Sequence, residues 1–300
     1  MNATQHHIFN SVGNPPDLGG PTVQWHYADT QRSYGVQLNW QSPGIEKSIY
    51  YDIVMHCTKM NEGNAVWEVS KNNYYTDNKR PENTIELLAI ACAETFYPFK
   101  FTTSIDGRMV NLLNIEQIKK RFELHKPILK RDFIGGIADK YIAVTESALN
   151  DPKQLKNIVS ADVWLSMFFA AITGNYHTNK TKAISFSLPL FGFEDPLVFK
   201  GSVSIGNPDL MNEAQALEVN ATLDSFPVIN NEPLLNGRME ATYDIDIPGH
   251  HIRNISSHIT VTTFSGEHHF WLKGYKIEAE QHAPQQEELK PKSKSWFSLF

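Results

Sequence analysis

One stretch of the chain, residues 98–122, leaves little freedom in how it can fold. Between positions 99 and 105 the residues alternate with a period of two, which is typical of a half-buried strand. Asp106 and Gly107 then supply the two positive-φ positions of a type I′ hairpin turn. Such a turn fixes the register of the hairpin, in which the facing pairs are Phe101 and Leu112, Thr103 and Val110, and Ile105 and Arg108.

A helix is expected to follow this hairpin almost without a linker. Asn114 occupies the N-cap position, and Gln117, three residues later, completes a capping box. Leu113 and Ile118 form the apolar contact of a hydrophobic staple. The stretch therefore predicts a strand, a turn, a second strand and a capped helix in direct succession.

The rest of the chain divides into strand-forming and helix-forming parts. Strand patterns cover residues 22–76, a helix 81–95, the hairpin 98–113, further helices 114–173, and strands again 182–278. This order predicts an α+β protein with a large, curved, antiparallel, half-barrel-like sheet built from the N- and C-terminal strand meanders. The central helical segment is expected to pack on the concave face. Residues 22–278 would form a single domain between a flexible arm, 1–21, and a flexible tail, 279–300.

Three positions mark where the helices begin. Pro81 is expected at the start of the first helix, and Asp151, followed by Pro152, opens a short one. Ser160 is the expected cap of the most apolar helix, which carries Trp164 and Phe168. Because that helix is apolar nearly all round, we expect it to be covered on several sides, including by the sheet.

The final meander gives two registers that disagree. A turn at Pro248-Gly249 pairs Ile245 with Ile252, Asp246 with His251 and Asp244 with Arg253. A turn at Ser265-Gly266 pairs Val261 with Phe270 and Ile259 with Leu272. The strand between these two turns belongs to both hairpins. Its inward residues are even-numbered at its start, at Ile252, and odd-numbered later, at Ile259 and Val261. The sequence therefore predicts a β-bulge between Asn254 and His258.

Composition and charge exclude several functional classes. A formal net charge of −6 and a pI near 6.1 give no basic surface for nucleic acid. The two cysteines, Cys57 and Cys92, are expected to be buried free thiols. The first ten residues lack a signal-peptide pattern, and no apolar run has the length of a transmembrane segment. These features predict a cytoplasmic location.

Metal, cofactor and catalytic sites are not indicated by any motif. The twelve histidines include three adjacent pairs, and adjacent residues on a strand point to opposite faces. In the registers above, the histidines do not converge, so we expect no metal and no cofactor. Asp244 and Arg253 are expected to form a cross-strand ion pair. Because no catalytic motif is present, we favour a non-enzymatic protein, and a hydrolase using His251 and Asp246 is the least favoured alternative.

Aromatic residues are expected to fill the space between the sheet and the helices. If they interdigitate they form an ordinary core, and if the curved sheet stays open they line an apolar cavity. The residues concerned are Trp25, Trp40, Tyr51, Trp67, Phe101, Trp164, Phe168 and Phe186. In its order of elements the chain resembles the half-barrel carriers that shield lipid or lipoprotein chains between a curved sheet and helices. This resemblance implies that a lipid-like molecule is a possible ligand.

The C-terminal tail is the most distinctive local feature. After a polar stretch with three lysines it carries four large apolar residues, Trp296, Phe297, Leu299 and Phe300. Such a peptide is typical of docking to a groove on a protein partner, or of a weak membrane-surface anchor helped by the lysines. The alternative, with equal weight, is that it packs back onto its own domain or simply frays. The leading hypothesis is thus an intracellular adaptor or structural subunit of a larger assembly that binds partners through its termini. The second hypothesis is a carrier of an apolar, lipid-like ligand in the sheet–helix cavity.

Overall fold

The computed structural model describes residues 20–23, 30–61, 64–104, 109–193, 195–224, 228–229 and 232–278. Most of the N-terminal arm, Trp25, the Asp106-Gly107 turn and the tail from residue 279 lie outside the described residues. The structural statements below concern the described ranges.

An antiparallel sheet of eleven strands dominates the described part of the chain, in the order β6-β5-β4-β3-β2-β15-β14-β13-β10-β9-β8. Its strands are β2 (Thr30–Ser42), β3 (Ile45–Asn61), β4 (Asn64–Thr76), β5 (Phe99–Ser104), β6 (Met109–Leu112), β8 (Thr181–Leu188), β9 (Leu197–Asp209), β10 (Ala214–Leu223), β13 (Asn236–Asp246), β14 (His251–Thr263) and β15 (Gly266–Ile277). Two short ribbons pair β1 (Thr22–Val23) with β7 (Gly174–Asn175) and β11 (Val228–Ile229) with β12 (Glu232–Pro233).

The two ends of the chain meet in the middle of this sheet. Strand β2, from the N-terminal meander, pairs along its length with β15, from the C-terminal one, so that Trp40 lies opposite Phe270. The Tyr34 hydroxyl also donates a hydrogen bond to the carbonyl oxygen of Ile252 at 2.9 Å. The predicted single curved sheet, contributed by both meanders and covered by the central helices, is therefore confirmed.

Five helices form the covering layer in the described chain: α1 (Thr84–Glu94), α2 (Ile115–Asp132), α3 (Gly136–Asn150), α4 (Pro152–Ser160) and α5 (Val163–Phe168). Asp151 caps α4 as predicted. Two predicted starts were wrong, because Asn83 rather than Pro81 precedes α1, and Asp162 rather than Ser160 caps α5. In both cases a side chain that accepts a hydrogen bond from the first-turn backbone decides the boundary.

The β5–β6 hairpin and the start of α2, which follows it, differ from the prediction in two ways. Phe101 lies opposite Leu112 as expected, but a register shift places Thr103 opposite Met109 instead of Val110. Asn114 precedes α2 without capping it through its side chain. Its amide oxygen instead accepts from the Lys100 amide at 2.8 Å, and its amide nitrogen donates to the Pro98 carbonyl at 3.0 Å. The predicted capping box was thus wrong, and Asn114 ties the helix start to β5.

The final meander contains the expected bulge, one residue earlier than predicted. Ile245 lies opposite Ile252, and Asp246 opposite His251, as predicted. Asp244 pairs with Asn254, which leaves Arg253 as the extra residue, so both the bulge position and the Asp244–Arg253 pairing were wrong. The β14–β15 register was also wrong by two residues: Ile259 faces Phe270, and Val261 faces His268.

Within the described residues, no helix combines the length and the apolar character needed to cross a membrane.

Candidate functional site

The concave face of the sheet is covered unevenly, as strand β2 shows. Its inward residues Tyr34 and Val36 are fully buried, whereas Leu38 on the same face is only partly buried. Strand β3 shows the same change, because Ile53 is buried and Ile49 is partly buried. The face therefore has two parts, which we call the closed half, around Tyr34 and Ile53, and the open half, around Leu38 and Ile49.

Helix α5 fills the closed half with aromatic rings. The Trp164 ring lies 5.2 Å from the Tyr34 ring, and the Phe168 ring lies 6.0 Å from the Trp67 ring, between ring centroids. The Trp164 indole occupies the space above Gly274, where a Cβ atom would lie 1.9 Å from its Cζ3. This half is packed as a protein core.

A buried ion pair holds α5 against the sheet. Lys71, on the concave side of β4, binds the carboxylate of Asp162, and the side chains of both are only about a tenth exposed. The Lys71 ammonium also lies 4.0 Å from the centre of the Tyr51 ring. Burial opposes the charge, but the Asp162 carboxylate together with the neighbouring Tyr51 outweighs it and raises the pKa of Lys71, so the ammonium stays charged.

The open half forms a cleft of about 630 Å³, which we call the concave cleft. Its floor comes from β2, β3, β14 and β15, and the end of α4 and the start of α5 also border it. Its roof comes from residues 189–193 and 195–196, which we call the covering segment. Gly192 in this segment has a φ of +86°, a conformation that favours glycine. The apolar side chains lining the cleft include Leu38, Trp40, Ile49, Phe191, Phe193, Phe270 and Leu272.

Trp40 contributes both a wall and a polar group to this cleft. Its ring lies 4.5 Å from the exposed ring of Phe191, between centroids. Its Nε1 donor is buried and has no hydrogen-bond partner among the described residues. A buried donor without an acceptor costs free energy, and an acceptor atom on a ligand would remove that cost.

A second cavity, of about 610 Å³, lies where the two edges of the sheet approach each other; we call it the seam cavity. Strand β8 borders it on one side, Phe101 and Met109 of β5 and β6 on another, and the end of α5 closes it. Ser160 and Pro196 line both the seam cavity and the concave cleft, so the two cavities are neighbours.

The described members of the predicted aromatic set are all buried, and they divide between these regions. Trp40 borders the concave cleft, and Phe101 and Phe186 border the seam cavity. The members that surround α5 in the packed core are Tyr51, Trp67, Trp164 and Phe168. Trp25 lies outside the described residues. The docking residues Trp296, Phe297, Leu299 and Phe300 do as well, so binding to a protein partner through the tail stays a prediction.

Sequence reasoning missed one residue of the seam cavity, Lys182. It lies on β8, two residues before Ile184, and so belongs to the inward-facing row that continues with Phe186 and Leu188. The sequence did contain an indication of this residue. Lys182 alternates with Ile184, Phe186 and Leu188 on the same face of the strand, and a lysine is unusual on a buried face.

The histidine prediction was wrong for one pair. His258 and His269 converge on the convex face, with 3.3 Å between His258 Nε2 and His269 Nδ1. Both rings also stack on Trp271. Burial, followed by the nearby His269, lowers the pKa of His258. In the part of the chain that the structure describes, no three His, Cys, Asp or Glu residues are grouped as metal ligands.

His251 and Asp246 do come together, at the turn between β13 and β14. His251 Nδ1 lies 3.6 Å from Asp246 Oδ2. The same carboxylate accepts from the Gly249 amide and from Arg253 Nε, at 2.5 and 2.7 Å. Burial opposes ionisation, but these donors outweigh it and lower the pKa of Asp246. The carboxylate therefore holds a turn together and is poorly suited to accept a proton in catalysis.

No protein-family model and no curated protein sequence match this chain. Among solved structures, the chain is similar to lipovitellin, studied for lipid–protein interactions, with 11% identity and a TM-score of 0.45 over 82% of this chain. It spans only 25% of that lipovitellin chain. A protein from M. tuberculosis, Rv2717c, matches over 82% of this chain and 92% of its own, with 7% identity and a TM-score of 0.28. Likenesses this weak do not identify a function.

Proposed function

We propose that the protein binds an apolar, lipid-like ligand in the concave cleft. The observation that carries this proposal is the cleft itself, which leaves inward-facing apolar side chains of β2 and β3 only partly buried beside a fully packed core. Ligand sites in proteins have volumes of about 300–1,000 Å³, and a volume of 630 Å³ lies within this range.

The chemistry of the lining suits a hydrocarbon chain. The walls are aliphatic and aromatic, and burial of apolar surface contributes about 25 cal/mol for each Å² removed from water. The few polar side chains that line the cleft include Asn157 and Asp195. The unpartnered Trp40 Nε1 would orient a ligand that carries one acceptor atom.

The cleft is bounded by two kinds of structure, strands of the central sheet and a short connecting segment. The floor belongs to long central strands, whereas the roof is a short connecting segment with the exposed ring of Phe191 at its surface. A ligand can therefore enter by displacement of the covering segment without disruption of the sheet.

The test is to fill the cleft and measure binding of a single-chain alkyl probe whose fluorescence rises in apolar surroundings. Leu38→Trp adds bulk on the concave side of β2 and should abolish binding of the probe. Gln37→Trp adds the same bulk to the opposite face of the same strand and should leave binding intact.

Native mass spectrometry of the purified protein provides a second readout. Wild type and Gln37→Trp should retain a small apolar molecule that Leu38→Trp lacks. The proposal is wrong if wild type neither retains such a molecule nor binds the probe, or if both tryptophan variants bind it equally well.

A further inference from the structure

Lys182 places a positive charge in an otherwise apolar row. Its neighbours on the inward face of β8, Ile184, Phe186 and Leu188, are buried, and Lys182 itself is partly buried. Strand β9 presents Val203 directly opposite it. A buried cation is costly unless it is paired or hydrogen-bonded, so the partners of Lys182 decide what it can bind.

The ammonium has two protein partners, and both are neutral. Nζ donates to the carbonyl oxygen of Ala171 at 2.9 Å and to that of Thr173. A lysine ammonium has three donor hydrogens, and within the described residues the third has no acceptor and no carboxylate forms an ion pair with Lys182. Burial lowers the pKa of this group, which means that its charge is incompletely compensated.

The seam cavity beside Lys182 has the character of a site for a hydrocarbon chain. Lys182 is the one charged residue among the described residues that line it. The surrounding apolar walls include Phe101, Met109, Leu165, Phe169, Ile184 and Phe186. One cation at the side of an apolar space matches an amphiphile with a single negative charge, whereas a doubly charged phosphate would leave one charge unpaired.

The shared lining connects this space to the proposed ligand site. Ser160 and Pro196 border both cavities, so a chain that begins at Lys182 can continue toward the concave cleft past these two side chains. We propose that Lys182 binds the carboxylate of a long-chain fatty acid whose hydrocarbon tail lies in the seam cavity and extends toward the concave cleft. This inference rests on the proposed function and names the class of ligand.

The experiment compares oleate with oleyl alcohol, which has the same chain and a neutral head, both below their aggregation concentrations. Wild type should bind oleate about tenfold more tightly, since a charge-assisted hydrogen bond contributes that much or more. Lys182→Met should reduce the affinity for oleate about tenfold and leave the affinity for oleyl alcohol unchanged. Lys182→Arg should keep the preference for oleate.

Lys200→Met is the matched control, because Lys200 is an exposed lysine on the adjacent strand, paired with Asp224 on the surface. It should keep the preference for oleate. The inference is overturned if wild type shows no preference for oleate, or if Lys182→Met weakens both ligands equally, which would indicate a structural role for Lys182. If oleyl alcohol binds and oleate binds no better, only this inference fails; if neither ligand binds, the proposed function fails as well.

Discussion

The closed and open halves of the concave face are built on the same strands and differ in what covers them. Along β2, Tyr34 packs against the Trp164 and Phe168 rings of α5, while Leu38 and Trp40, on the same face, lie beneath the covering segment. Residues four apart in a helix lie on the same face, so Trp164 and Phe168 of α5 both point toward the sheet. The covering segment also carries two rings, Phe191 and Phe193, but the Phe191 ring is largely exposed and a cleft remains beneath the segment.

The alternation of apolar and polar residues along a strand therefore predicts which face points inward. It does not predict whether other side chains pack fully against that face. In the closed half, the fit depends on one detail of the sheet, because only the absence of a side chain at Gly274 lets the Trp164 indole approach the strand. Changes in the closed half should therefore reduce the free energy of unfolding, and changes in the open half should reduce ligand affinity.

The largest expected effect is that of Trp164→Ala. Removal of a fully buried indole should lower the free energy of unfolding by about 3–5 kcal/mol, measured by urea denaturation. Trp271→Ala, on the convex face of the same sheet, should cost about 1 kcal/mol, since Trp271 is only partly buried. If the two substitutions cost the same, the Trp164 ring is no better packed than a partly buried ring on the convex face.

Gly274→Ala should lower the free energy of unfolding by about 1–3 kcal/mol, because the added methyl group overlaps the Trp164 ring. Gly206→Ala provides the control, since a Cβ atom there would lie 3.5 Å from its nearest neighbour and needs no rearrangement. An unchanged unfolding midpoint for Gly274→Ala would show that α5 can shift away from the sheet.

The pH dependence of stability should differ from the pH dependence of ligand binding, because a buried histidine, His251, affects only the first. Next to Ile252, which accepts the Tyr34 hydrogen bond, burial and then the charges of Arg32 and Lys276 lower the pKa of His251 to about 4. An unfolded histidine titrates at about pH 6.5, so between pH 4 and this value the unfolded chain binds the proton and the folded chain does not. Stability should therefore fall as the pH drops from about 6.5 toward 4, by on the order of 1–2 kcal/mol because the turn is partly solvated.

Urea denaturation of wild type and of His251→Gln at several pH values measures this contribution. The variant should lose less stability over the same interval. Binding of a neutral probe in the concave cleft should not follow this dependence, because no histidine is among the described residues that line it. Equal pH slopes for wild type and variant would assign the effect to other groups.

The smallest effect on stability is expected for Phe191→Ala in the open half. Its ring is 63% exposed, so the free energy of unfolding should change by less than about 0.5 kcal/mol. Because the ring covers Trp40, probe affinity should nevertheless fall severalfold. Phe264→Ala, which removes another exposed ring that does not line the cleft, should change neither quantity.

Much of the fold was predictable because the strands alternate cleanly. The inward rows of β8 and β10 follow from the period of two alone. The β14–β15 register was not, because the two turn residues are Phe264 and Ser265, not Ser265 and Gly266 as the glycine suggested. Local sequence does not distinguish these two turns.

The candidate site was less predictable for a physical reason. The aromatic residues were correctly expected between sheet and helices, but a cleft is a property of the space that remains after packing. It depends on how far α5 extends and where the covering segment returns. Lys182 was visible as a lysine in an apolar row, although its missing counter-charge depends on residues that are distant in sequence.

The junction of β2 with β15 has a consequence for how the protein is made. The hydrogen bond from Tyr34 to Ile252 spans 218 positions, so a ribosome must release the chain beyond Ile252 before the centre of the sheet can close. Until then the edge of β2 remains unpaired, and unpaired edges invite aggregation. Because the N- and C-terminal meanders pair late, we expect the protein to fold slowly and to depend on chaperones that shield nascent strands.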